Sequence, residues 1–150
     1  MENNSLKDQM RNVQEEARMI LPGIQALFGF QMIAVFNQRF DELDPVSRYC
    51  HLAALFLVVV AIGLVMAPAA WHRLISPERV DEDLVRLSSN LICGALWPLA
   101  AAIAMDVGVV IRLAADNPYE GLAGASLTLL ILVLLWFCAP LVRRKHHSAR

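Results

Sequence analysis

Between residues 53 and 67 the chain carries no charged or strongly polar side chain, whichever face of a helix is considered. A helix that is apolar all round belongs in lipid, or in a core far larger than 150 residues can build. This stretch is part of one of four long apolar runs, at residues 19–37, 49–71, 91–113 and 121–142. A helix rises ~1.5 Å per residue, so runs of this length cross the ~30 Å hydrocarbon layer of a bilayer. A soluble domain would instead alternate apolar and polar residues at the helical period. The expected fold is therefore an all-α integral membrane bundle of four transmembrane helices, a single membrane domain over residues 1–150. A short cytoplasmic amphipathic helix is expected within residues 1–18, where Leu6, Met10, Val13, Ala17 and Ile20 form an apolar stripe. Packing on the bundle or lying at the membrane surface is the ordinary use of such a stripe; docking a partner is the other.

The apolar share, 57%, exceeds that of ordinary globular domains and fits a membrane chain. A net charge of −1 and the lack of a basic stripe with interleaved aromatics give no reason to expect nucleic acid. Residues 1–18 lack the apolar core and small-residue cleavage site of a signal peptide, so none is expected. Cys50, Cys93 and Cys138 fall in three different spans without CxxC spacing, and read as small buried apolar residues. No metal site and no cofactor are expected. GxSxG, HExxH, Walker and GxGxxG motifs are all missing, so the chain does not read as an enzyme.

Charge on the connecting segments orients the spans. Lys7, Arg11, Arg18, Arg73, Arg79, Arg86, Arg143, Arg144, Lys145 and Arg150 fall on one side, against Arg39, Arg48 and Arg112 on the other. The positive-inside rule puts the first group, and with it both termini and the 143–150 tail, in the cytoplasm of a cell membrane. The outer connections are short: Asp41, Glu42, Asp44 and Pro45 mark one turn, and Asp116-Asn117-Pro118 the other. Ser76-Pro77-Glu78 reads as the capped start of a helix that runs into the third span. Pro22, Pro68 and Pro140 fall near span ends. Pro98 lies inside the third span, frees the Gly94 carbonyl and is expected to kink or open the helix.

Asp106 is the acid set well inside a span. A carboxylate there costs about 3 kcal/mol or more on insertion scales, so it must face protein or water and find a partner or a proton. Two readings follow: a proton or cation site, or a structural carboxylate reaching toward Arg112 about 9 Å further along the axis. Gln31, His51 and Asn37 fall at a comparable depth on other spans, as do Ser126 and Thr128. Gly121, Gly124, Ala125 and Thr128 form a small-residue face on the fourth span. Such a face lets helix backbones approach closely, within one chain or across a homo-oligomer seam.

The run Glu16-Ala17-Arg18-Met19-Ile20-Leu21-Pro22-Gly23-Ile24-Gln25-Ala26-Leu27-Phe28-Gly29-Phe30-Gln31, with Phe36-Asn37-Gln38-Arg39-Phe40 and Met66-Ala67-Pro68-Ala69-Ala70-Trp71-His72-Arg73, resembles a family of small bacterial four-span membrane proteins of unknown function. The likeness covers the first two spans closely and the remainder by layout. Members are often labelled sodium:proton antiporters, and their motifs define no catalytic residues that carry over.

The functional expectation is movement of protons or small monovalent cations across the bilayer by an oligomer. Asp106 would bind and release, with Gln31, His51 and Asn37 hydrating or coordinating. The alternative is a non-transporting membrane subunit or adaptor acting through its cytoplasmic segments.

Overall fold

The structure is a computed structural model and describes residues 2–75 and 82–142. The Ser76-Pro77-Glu78 cap and the 143–150 tail, including His146 and His147, lie outside the described residues. The described chain is all-α: α1 Glu2–Val35, the single turn α2 Gln38–Asp41, α3 Pro45–Ile75, α4 Glu82–Ala115 and α5 Pro118–Val133. A π-helical turn, Leu134–Cys138, follows α5, and helix resumes over 139–142. Among the described residues, four helical stretches are long and apolar enough to cross a membrane: Asp8–Val35, Pro45–Leu74, Glu82–Ala115 and Pro118–Val142.

The helices overshoot the apolar runs at most ends. Backbone hydrogen bonding does not stop where the side chains turn polar, so Pro45–Arg48 and Glu82–Asn90 stay helical beyond the apolar windows. The exception is Asn37, which falls outside α1. Nor is the N-terminal amphipathic segment a separate helix. It is the first half of α1, which continues through Pro22. Pro68 likewise lies inside α3, and α4 runs unbroken through Pro98 rather than opening there. Each proline removes one backbone donor, a loss that membrane helices tolerate. Among the described residues, the one break in regular α-helix within a span comes just before Pro140. In a regular helix the ring of Pro140 would clash with the Trp136 carbonyl, four residues back. In the widened turn the Ala139 N–H donates to the Leu134 carbonyl, five residues back.

The fold divides into two compact units. Unit one comprises Met1–Val35 and Val58–Pro98. Its buried residues recur at heptad-like spacing: Met10, Ile24 and Gln31 on α1, Val58, Ala61 and Val65 on α3, and Val85, Ser88, Ile92 and Ala95 on α4. The α1 stripe is used here. Met10 and Leu6 pack against Val85 and Leu84 at the start of α4. Burying such a side chain away from water stabilises by roughly 1.5–3 kcal/mol. Buried Ser88 is satisfied by donating its hydroxyl to the Leu84 carbonyl at 2.6 Å.

Unit two comprises Phe36–Leu57 and Leu99–Arg150. Ser47, His51 and Ala54 are buried on α3, and Leu99, Ala100, Ala102 and Ala104 on α4. On α3 the buried series 47, 51, 54 continues at 58, 61 and 65, one unbroken seam that places His51 among core positions.

Candidate functional site: a histidine–aspartate pair in the membrane-length helices

The local architecture of the site starts at Asp44. Its carboxylate caps α3: Oδ2 accepts from the backbone N–H of Val46 at 3.0 Å and of Ser47 at 3.3 Å, and Oδ1 accepts from the Ser47 hydroxyl at 2.7 Å. Pro45, the first helical residue, has the fixed φ that suits this position. Arg112, near the end of α4, donates from Nη2 to the same Asp44 Oδ2 at 3.1 Å. The Ser47 hydroxyl and backbone bonds and the Arg112 charge hold the Asp44 carboxyl below its ordinary value near 3.8, against the opposing effect of partial desolvation.

Further into both helices lies a second tie. From Asp44 the chain advances along α3 to His51; from Arg112 it steps back along α4 to Asp106, as an antiparallel register requires. His51 Nδ1 and Asp106 Oδ1 are 3.0 Å apart. The two side chains are only 9% and 18% exposed, so the pair sits largely out of solvent. With a proton on Nδ1 the imidazole N–H donates to the carboxylate, which leaves Nε2 as the second protonatable nitrogen of the ring. Phe40 stands edge-on to the imidazole, with ring centroids 5.7 Å apart and planes at 67°. The Arg48 guanidinium lies 5.7 Å from the centre of the Phe40 ring and donates to the Asp41 carbonyl at 3.1 Å. The order outward from the pair is therefore imidazole, phenyl ring, guanidinium.

His51 and Asp106, both expected at an ion site, are paired in the structure. Arg112, expected as the structural partner of Asp106, closes on Asp44 instead. Asn37 is exposed in the turn after α1, where its backbone carbonyl accepts from the Phe40 N–H at 2.9 Å and so helps position that ring. Gln31 is buried on α1 in unit one. Phe40 and Arg48 were not expected at the site. Their signal was their closeness in sequence to His51, on a turn too short to carry them away.

These features belong to a chain with a recognisable kinship. The chain belongs to a family of unknown function, DUF6328, which it matches over residues 2–140. No curated protein and no solved structure matches it.

The small-residue face lies close by in unit two and is used within the chain. Gly121 and Ala125 of α5 meet Gly108 and Arg112 of α4, and Gly124 faces Ile111. A Cβ on Gly121 would come within 2.6 Å of Arg112 Cβ and 2.8 Å of the Gly108 carbonyl oxygen. Of the two uses open to this face, contact within the chain is the one seen at Gly121, Gly124 and Ala125, while Thr128 is half-buried and Ser126 is exposed. α5 is set in place by Asn117, whose side-chain carbonyl accepts from the Tyr119 N–H at 3.0 Å, after a left-handed Asp116 (φ 51°) turns the chain. The cysteines depart from expectation: Cys50 is half-buried, but Cys93 and Cys138 are exposed, on faces a bilayer would cover. Among the described residues no cluster of three His, Cys, Asp or Glu side chains forms.

Proposed function

We propose that the protein moves protons across a cell membrane, with the His51–Asp106 pair as the carrier site and a small monovalent cation as the alternative occupant. The observation that carries this reading is the 3.0 Å pairing of a carboxylate and an imidazole, largely out of solvent, on two helices of membrane-crossing length. With neutral imidazole and ionised carboxylate the pair has one negative charge; taking up a proton makes it neutral. A cation competes for the charged form, so proton and cation occupancy exclude one another. In this reading the termini are cytoplasmic, and more than one copy of the chain walls the ion path. Phe40 would act as the outer cover, displaced when the pair exchanges with water. The adaptor alternative has less support, because Leu6 and Met10 of the α1 stripe it would use for docking are packed against Leu84 and Val85 of α4.

The test is proton flux into liposomes containing purified protein and an internal pH dye. Asp106→Asn and His51→Asn each keep a hydrogen-bonding group of similar reach but remove a titrating one. Both are expected to abolish flux while the protein still inserts and folds. Parent-like flux in Asp106→Asn makes the pair structural and defeats the proposal, as does an inactive parent under every proton and cation gradient.

A further inference from the structure

Unit one contains a groove whose chemistry differs from that of the pair. It is lined by Val13, Gln14, Ala17, Arg18 and Leu21 of α1, the 65–73 stretch of α3, and Ile92 of α4, and encloses about 270 Å³. At ~1.5 Å per residue the α1 and α3 segments each extend ~12 Å. Polarity changes along both in step. Leu21, Val65 and Met66 line the part that lies within the apolar runs. Arg18, His72 and Arg73 stand where those runs end. Among the described residues, no acid lines the groove, and Arg18 and Arg73 have no carboxylate partner. The neighbouring acid Glu15 is engaged by Arg11 at 3.1 Å.

An apolar trough ending in guanidinium groups that no described acid neutralises, at a membrane boundary, complements one kind of molecule, an anionic phospholipid. Its phosphate would meet Arg18 and Arg73, with the half-buried His72 beside them, and the first carbons of its tail would follow Leu21, Val65 and Met66. A cation is repelled by this charge, and a free anion would leave the apolar wall bare. We infer that this groove is a binding site for the headgroup of an anionic phospholipid. The inference uses the membrane reading of the helices but is independent of transport, because its test involves no ion gradient.

Purified protein in mild detergent is incubated with phosphatidylglycerol or phosphatidylcholine, and retained lipid is counted by native mass spectrometry. The parent should prefer phosphatidylglycerol by on the order of tenfold, as two arginines at a lipid surface imply. Arg18→Gln with Arg73→Gln should erase the preference. Arg86→Gln removes an equal kind of charge from an exposed arginine outside the groove and should leave it unchanged. Millimolar inorganic phosphate should not displace the lipid. No preference in the parent, a preference that survives in the double variant, or an equal loss in Arg86→Gln overturns the assignment. Displacement by phosphate would overturn it too, making the groove a site for free anions.

Discussion

The close approach of α4 and α5 invites a graded glycine test. A methyl group at Gly121 would sit 2.6 Å from Arg112 Cβ and 2.8 Å from the Gly108 carbonyl oxygen, where ordinary contact begins at 3.4 Å. Both obstacles are fixed to the α4 backbone, so no rotamer change removes them. Restoring contact requires the helices to part by about 0.8 Å at this point. Overpacking of this kind costs ~1–3 kcal/mol, and alanine returns up to ~1 kcal/mol as the better helix former. Gly121→Ala should therefore destabilise by roughly 1–2 kcal/mol. Gly108→Ala meets Ala125 Cβ at 2.9 Å and the Gly121 oxygen at 3.1 Å, so its effect should be smaller and of the same sign. Gly63, on an exposed face of α3, has nothing within 4 Å of its added Cβ. Gly63→Ala should be neutral or stabilising by up to ~1 kcal/mol. The assay is unfolding of detergent-solubilised protein by added sodium dodecyl sulfate, followed by far-UV circular dichroism. A Gly121→Ala protein as stable as the parent, or an equal loss in Gly63→Ala, would refute the account of this seam.

The Asp44 cap makes stability depend on pH. Its folded-state pKa is depressed, so its contribution is fully present above the ordinary value near 3.8 and is lost as pH falls from there through the folded value. Asp44→Asn keeps a capping side chain but should flatten this acid limb; a limb of unchanged steepness in thermal scans from pH 6 to pH 3 would show that other groups cause it. At the other end of the chain, Met10 is 2% exposed against Val85. Met10→Ala should cost about 2 kcal/mol and increase protease cleavage within α1, whereas the same change at exposed Met19 should do neither.

Much of the architecture is legible in the one-dimensional pattern. Predominantly apolar runs of about 20 residues have few physical outcomes, so the four long helices follow from the sequence alone, as do the turns at Asp44-Pro45 and Asp116-Asn117-Pro118, whose residues form the caps themselves. Asp106 was also visible, because one carboxylate in an apolar run has to be accommodated somewhere. His51 stood among the candidates at its depth, but the sequence did not single it out as the group that Asp106 meets. Arg112 is nearer in sequence, yet a pairing along one helix competes with pairings across helices, and only the antiparallel register of α3 and α4 sends Arg112 to Asp44 and His51 to Asp106. That register was hidden because residues 53–67 are apolar on every face, which conceals the buried seam continuing from Ser47 and His51 through Ala54, Val58, Ala61 and Val65. The prolines misled for a related reason: they mark where a helix is weakened, while surrounding helical hydrogen bonds decide whether it ends. The use of the Gly121 face likewise needed three dimensions, since small residues permit a close approach without naming the helix that makes it. Composition determined that the chain forms long apolar helices; the rotation and register of those helices, set by packing between residues far apart in sequence, decided which polar groups meet.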